Sequence, residues 1–113
     1  MERGERTTVM HRYVKHGGIV YVSGAIADDL TLSMKEQTEQ ITAKLDRVLA
    51  AAGTSKHKLL TAQIYVTDFA AKNEMNEAWL AWLSPDILPA RATIGVAELG
   101  AGVLIEVVVT AAA

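Results

Sequence analysis

Residues 88–113 read LPARATIGVAELGAGVLIEVVVTAAA, and this stretch predicts two β-strands separated by Gly100 and Gly102. The second strand, VLIEVVVTA, is apolar on both of its sides except at Glu106, which is typical of a central strand. Arg91 stands near the start of the first strand, just after a proline. Burying a lone guanidinium or carboxylate is costly unless a partner compensates it, so these two charges require either a partner or a function.

The segments before this stretch predict further strands and a helix. TTVMHRYVKHGG and IVYVSGAI read as two strands joined by a tight turn at Gly17-Gly18. MKEQTEQITAKLDRVLAAAG carries apolar residues at helical spacing and charges on the opposite face. Ser33 and Glu36 fit a capping box at its start, and Gly53 is a natural stop at its end.

The middle of the chain adds one more strand and one more helix. KLLTAQIYVTD predicts a strand from about Leu59 to Val66, and Asp68 can cap a second helix, FAAKNEMNEAWLAWL. The predicted order is ββαβαββ, an α+β fold in which both helices pack on one face of the sheet. The other face then needs a cover, and a second copy of the chain is the simplest one. We therefore expect a homo-oligomer.

Composition narrows the class of protein. The 113 residues of the chain suit one domain spanning 1–113, and the formal net charge of −2 gives no basic footprint for nucleic acid or anionic membranes. There is no cysteine, which excludes disulfides and thiolate chemistry. No apolar run is long enough to cross a bilayer, and MERGERTT is unlike a signal peptide. We expect a cytoplasmic protein without a metal site, because His11 and His16 have no acidic partner nearby in sequence.

Two interpretations of Arg91 and Glu106 remain open at this point. In the first, the two predicted strands are antiparallel neighbours and the side chains form a structural ion pair. In the second, Arg91 binds a carboxylate or phosphate with its bidentate fork, and Glu106 holds or activates a water in the same pocket. Spacing alone does not decide between them.

The whole chain resembles the RidA/YjgF family. IVYVSGAI is similar to the strand that leads into the family's SGQ turn, and EQTEQITAKLDRVLAAAGTSKHKLLTAQIYVTDF is similar to its central helix-and-strand passage. MNEAWLAWL follows in register with the family's second helix. The most specific match is the terminal signature, which PARAT and LIEV fill with Glu106 fifteen residues after Arg91.

The resemblance implies a chorismate-mutase-like fold, a homotrimer, and a pocket between subunits. It further implies hydrolytic deamination of 2-enamine or 2-imine carboxylates to 2-keto acids and ammonia, without a metal or organic cofactor. Arg91 would bind the substrate carboxylate, and Glu106 would position the attacking water. The remaining residues implied to contact the substrate are Gly24, Ala92, Thr93 and Asn73.

This chain departs from the family pattern at the N-terminal strand. Many members carry a tyrosine there that lines the pocket, whereas Tyr13 is out of register here and Met10 stands closer to the expected place. This departure keeps a second hypothesis open, a non-catalytic trimer that senses small carboxylates such as 2-keto acids. A ribonuclease, a third possibility, lacks support. The composition supplies neither a basic surface to bind the phosphates of an RNA strand nor enough aromatic side chains on which bases could stack.

Overall fold

The computed structural model describes all 113 residues. Its helices and strands form the order βββαβαββ, and short 3₁₀ turns precede β4, α2 and β5. The elements are β1 Glu2–Arg6, β2 His11–His16, β3 Ile19–Val22, α1 Met34–Ala51, β4 Leu59–Val66, α2 Lys72–Trp82, β5 Ala90–Gly95 and β6 Ile105–Ala112.

The first helix begins and ends where its caps predict. The Ser33 hydroxyl accepts a hydrogen bond from the Glu36 N–H, and the Glu36 carboxylate accepts one from the Ser33 N–H, so the predicted capping box is confirmed. Gly53 adopts a φ of +83° just after the last turn, the left-handed conformation that glycine tolerates best. The apolar face of α1 is buried, including Ile41 and Leu45.

The sheet has six strands in the order β1-β2-β3-β6-β4-β5. The prediction that β5 and β6 are neighbours is wrong, because β4 lies between them and pairs parallel with β5 and antiparallel with β6. The cause is the β4-α2-β5 crossover, which returns the chain parallel to β4 at the edge of the sheet. Strand β6 then enters the gap between β3 and β4.

Strand β1 is a correction to the predicted order, which began with the strand in TTVMHRYVKHGG. The strand, ERGER, has no alternating apolar residues that would predict it from sequence. It pairs antiparallel with β2. Gly4 explains the fit, because a Cβ there would collide with the ring of Tyr13. The carboxylate of Glu5, a residue with a φ of +53°, accepts a hydrogen bond from Arg47 of α1 at 3.1 Å.

Both helices pack on the same face of the sheet. The core joins Ile41 and Leu45 of α1 and Trp79 of α2 to alternate residues of the central strands, among them Ile64 and Val107. Along β6 the odd-numbered residues are buried and the even-numbered ones are half-buried on the opposite face. That opposite face has no helix over it and mixes apolar and polar side chains. Neither helix is long and apolar enough to cross a membrane.

Candidate active site

Arg91 lies on β5 at the edge of the sheet, on the side that faces the helices. Its cross-strand partner is Ala62, which is buried in the core beneath the helices. The guanidinium carbon lies 5.8 Å from the ring centroid of Trp79, within range of a cation–π contact. Desolvation of the guanidinium lowers the pKa of Arg91 from its ordinary value, but the group remains charged at neutral pH.

The surroundings of Arg91 form a shallow cavity with an apolar floor. The cavity has a volume of about 340 Å³ and is lined by Asn76, Trp79, Leu80, Leu88, Pro89 and Arg91. We call this region the Arg91 edge. Arg91 is exposed rather than buried, contrary to the expectation from its apolar neighbours, because β5 is an edge strand.

The backbone of β5 adds hydrogen-bond donors to the Arg91 edge. The Val96 N–H donates to the Val66 carbonyl at 2.9 Å, and alternate residues of an edge strand bond to its single neighbour. This alternation directs the N–H groups of Arg91 and Thr93 away from β4, toward the free edge. The N–H of Ala92 points toward β4 instead, and its side chain lies on the open face beside Gln63. Thr93, not Ala92, therefore offers its backbone to a ligand.

Glu106 lies on the opposite face of the sheet, near the start of β6. Its cross-strand partner is Tyr65, on the face that carries no helix. Buried Gln37 fixes the loop before the strand, because its side-chain amide donates to the Gly102 carbonyl at 3.0 Å and accepts from the Leu104 N–H at 3.1 Å. Glu106 is half-buried, and none of the structure's hydrogen bonds or ion pairs occupies its carboxylate.

Gly24 faces the Glu106 carboxylate because of a β-bulge. Tyr21 pairs with Thr110, and Ala25 pairs with Val107. The chain from residue 21 to 25 therefore contains one residue more than the segment of β6 opposite it, which defines a bulge. A Cβ built on Gly24 would collide with Oε2 of Glu106. The bulge and the missing side chain together leave room for the carboxylate.

A cavity of about 540 Å³ surrounds Glu106, and we call it the Glu106 cleft. Its lining consists of Met10, Arg12, Gly24, Ile26, Ala27, Asp28, Leu30, Lys44 and Glu106. Lys44 donates to Oδ1 of Asp28 at 2.8 Å and to the Ile26 carbonyl at 2.6 Å. The hydrogen bond from Lys44, followed by its Coulomb attraction, lowers the pKa of Asp28 below its ordinary value. Lys44 and Asp28 thus compensate each other.

Arg91 and Glu106 do not meet within one chain. Their cross-strand partners on β4, Ala62 and Tyr65, are three residues apart and therefore point to opposite faces. The two side chains are also offset by about 10 Å along the strands and by two strand spacings across the sheet. The interpretation of the pair as a structural ion pair between neighbouring strands is wrong.

Asn76, not the expected Asn73, lines the Arg91 edge. Asn73 is exposed on α2 and does not line the Arg91 edge, whereas Asn76, close to one helical turn later, does. Asn76 lies three residues before Trp79, and this spacing places both on one helix face. Combining that spacing with the contact between Trp79 and Arg91 would have identified it, but the contact is not visible in the sequence.

Met10, directly before β2, and Arg12 of β2 line the Glu106 cleft. No tyrosine side chain from this part of the chain lines it. Tyr13 is buried on the helix side of the sheet, where its hydroxyl donates to the Ala51 carbonyl at 3.3 Å. Burial raises the pKa of Tyr13, and nearby Glu2 adds to the rise. Arg12 was missed as a candidate because only its pairing opposite Ser23 reveals that it faces the cleft; the β2–β3 register sets that pairing.

Known proteins share this arrangement of strands and helices. A structure of a YjgF-family member from Neisseria meningitidis superimposes with a TM-score of 0.93 at 30% identity, covering 98% of this chain and 92% of the other. A Rid-family protein of unknown function from Yersinia pestis gives a TM-score of 0.89 at 30% identity, covering 96% and 90%. The likeness in fold thus extends over nearly the whole chain.

The sequence comparisons agree with the structural ones. A RutC family protein from Haemophilus ducreyi is 34% identical over 97 residues, which cover 86% of this chain and 83% of that protein. The family model described as Endoribonuclease L-PSP matches residues 6–113. The chain therefore belongs to the YjgF/YER057c/UK114 family, whose members are also described as Rid, RutC or endoribonuclease L-PSP proteins.

Proposed function

We propose that this protein hydrolyses 2-imine and 2-enamine carboxylates to 2-keto acids and ammonia. The observation that carries the proposal is the separation of Arg91 and Glu106 on opposite faces of one sheet, each without an ion-pair partner. A carboxylate anchor and a water-positioning carboxylate are the two groups that such a reaction needs. They combine into one site only when the Arg91 edge of one chain meets the Glu106 cleft of another.

The oligomer in the proposal is a homotrimer. An interface between the edge of one chain and the cleft of the next is heterologous, and repeated heterologous contacts form a closed ring when the rotation between copies is a third of a full turn. The face of the sheet that no helix covers supplies the surface for association. Three copies would form three identical sites, each with Arg91 and the Thr93 N–H from one protomer and Gly24 and Glu106 from its neighbour.

In the proposed reaction, Arg91 binds the substrate carboxylate through its bidentate fork. Glu106 accepts a hydrogen bond from a water whose oxygen attacks the imine carbon, forming the C–O bond as the C=N π electrons move to nitrogen. Two protons pass from the added oxygen to the nitrogen, the first by way of the Glu106 carboxylate, and the C–N bond then breaks. Ammonia leaves and the carbonyl of the 2-keto acid forms, so the atoms of imine and water are all accounted for. The protein contributes chiefly proximity and orientation.

A second candidate, a trimer that senses small carboxylates without turnover, is favoured by one observation. Met10 lines the Glu106 cleft, and Tyr13 is directed to the other side of the sheet. The cleft therefore lacks the phenol that many relatives carry. A sensor needs the carboxylate anchor Arg91 but does not need Glu106 to position water.

The experiment that tests the proposal measures ammonia and keto-acid release from imines generated in place by an amino-acid oxidase. Parent amino acids of different size are compared for wild type and Arg91→Ala. We expect wild type to accelerate release and Arg91→Ala to lose nearly all of this acceleration at imine concentrations below its raised dissociation constant. If no parent gives acceleration while keto acids still bind in an Arg91-dependent way, the sensor replaces the deaminase.

A further inference from the structure

We infer that Arg12 binds a second carboxylate, so that the preferred substrates are imines of 2-oxo dicarboxylic acids. This inference rests on the proposed function, because it assigns a substrate class to the same cleft. It concerns a residue that neither the water-positioning role nor the carboxylate anchor involves.

The position of Arg12 follows from the strand pairing. Its neighbour Tyr13 pairs with Val22, and both are buried beneath the helices, so Arg12 points to the opposite face. Glu106 occupies that same face, and both residues line the cavity of about 540 Å³. Arg12 therefore reaches the volume in which a substrate held near Glu106 would lie.

The charges in the Glu106 cleft leave Arg12 available. Lys44 is committed to Asp28 and to the Ile26 carbonyl, and its side chain is only 12% exposed. Arg12 attracts Asp28 at longer range but forms none of the four ion pairs, and its guanidinium makes no hydrogen bond within the chain. An arginine with free donors is suited to a planar carboxylate.

The rest of the lining suits the carbon chain of such a substrate. Met10, Ile26 and Leu30 provide apolar contacts between the charged groups. A 2-imino dicarboxylate would place its first carboxylate on Arg91 of the adjoining protomer, its imine carbon near Glu106, and its second carboxylate on Arg12. A monocarboxylate with an apolar end would leave the Arg12 fork without a ligand.

Binding of matched keto acids tests the inference without requiring turnover. The probes are 2-oxoglutarate and 2-oxopentanoate, which have the same five-carbon chain and differ in the terminal carboxylate. Calorimetry gives both dissociation constants for wild type, Arg12→Gln and Arg12→Lys. The matched control is Arg6→Gln, which removes the same charge from an exposed arginine on the neighbouring strand outside the cleft.

We expect wild type to bind 2-oxoglutarate about tenfold or more tightly than 2-oxopentanoate, the range for a charged hydrogen-bonded pair. Arg12→Gln should abolish this preference and leave 2-oxopentanoate unchanged, Arg12→Lys should retain part of it, and Arg6→Gln should match wild type. Equal weakening of both probes by Arg12→Gln, or no change in either, would overturn the inference. Thermal melting identifies any variant that fails to fold, and Arg12→Lys then decides.

The two proposals fail in different ways. A wild-type protein that turns over imines but shows no preference for 2-oxoglutarate, or a preference that persists in Arg12→Gln, contradicts the role of Arg12 alone. A retained, Arg12-dependent preference without turnover of any imine supports the dicarboxylate site and contradicts only the deaminase activity.

Discussion

The Arg91 edge and the Glu106 cleft lie on opposite faces of one sheet, and in the proposed trimer they form the two halves of each site. At the edge, an exposed guanidinium lies against Trp79 on the helix side of the sheet. In the cleft, a half-buried carboxylate lies beside Gly24 on the face that no helix covers. The first region offers charge and backbone donors to a ligand, and the second offers a larger open cavity, about 540 Å³ against about 340 Å³. Neither region alone holds both groups that imine hydrolysis needs.

The two regions also differ in what positions them. Arg91 depends on the β4-α2-β5 crossover, which delivers β5 to the sheet edge. Glu106 depends on a bulge near Gly24 and on the Gln37 amide, which fixes the entry to β6. In the proposed site, substitution of Glu106 should affect the chemical step, and substitution of Arg91 should affect affinity.

Replacement of Glu106 by Gln should give the largest effect. Glutamine keeps the shape but cannot accept a proton, so we expect the rate of imine hydrolysis to fall about 100-fold or more. The dissociation constant for a keto acid should change little, since Arg91 is untouched. Glu98→Gln, at an exposed loop carboxylate, is the matched control. Full activity in Glu106→Gln would show that the Glu106 carboxylate takes no part in the reaction.

Replacement of Arg91 by Ala should mainly weaken binding. Loss of a charged bidentate anchor is expected to raise the dissociation constant for 2-keto acids by about 10-fold to 100-fold. The dissociation constant of Arg91→Lys should lie between those of wild type and Arg91→Ala, because the charge remains while the bidentate fork and its contact with Trp79 are lost. Titration calorimetry measures both variants. Equal affinity in wild type and Arg91→Ala would contradict the assignment of the edge as the carboxylate anchor.

Replacement of Gly24 by Ala should separate activity from stability. The new methyl group would displace the end of the flexible Glu106 side chain rather than any backbone. We expect turnover to fall about tenfold through misplacement of the carboxylate, with little change in melting temperature. Steady-state kinetics and thermal denaturation are run on the same sample. Unchanged kinetics would show that the Glu106 position in the cleft is not critical.

The Asp28–Lys44 pair should give the smallest effect, and it depends on pH. Lys44 lowers the pKa of Asp28 in the folded protein, so the pair contributes stability above the ordinary aspartate pKa and loses it as pH falls through the lowered value. Because Asp28 is largely exposed, we expect Asp28→Asn to cost under about 1 kcal/mol at pH 7. Denaturant unfolding of both proteins should show the difference shrinking below about pH 4. A constant difference would contradict the pairing.

Local patterns were enough to predict most of the secondary structure. The capping box at Ser33 and the strand Leu59–Val66 match the structure because caps and alternation act within a few residues. The strand order could not be predicted in the same way, since insertion of β6 between β3 and β4 is a long-range choice. The strand β1 escaped detection because its fit depends on the contact between Gly4 and Tyr13.

The candidate site was only partly visible in the sequence. Arg91 and Glu106 stood out as charges among apolar residues, but their placement on opposite faces follows from the register with β4. Arg12 and Asn76 carry no local signal, because each is defined by the partner that it faces across a strand or helix. Sequence patterns singled out the two charged residues, and the tertiary pairing determined which groups can meet.

The most direct test of the central claim is complementation between two inactive variants. Arg91→Ala and Glu106→Gln are unfolded together in equal amounts, refolded as mixed oligomers, and assayed for imine hydrolysis. If each site combines the edge of one chain with the cleft of another, about one quarter of randomly assembled sites contain two intact halves. A site shared between chains should therefore restore about a quarter of wild-type activity. Activity that stays at the level of the separate variants, in samples where mixed oligomers are present, would contradict a shared site.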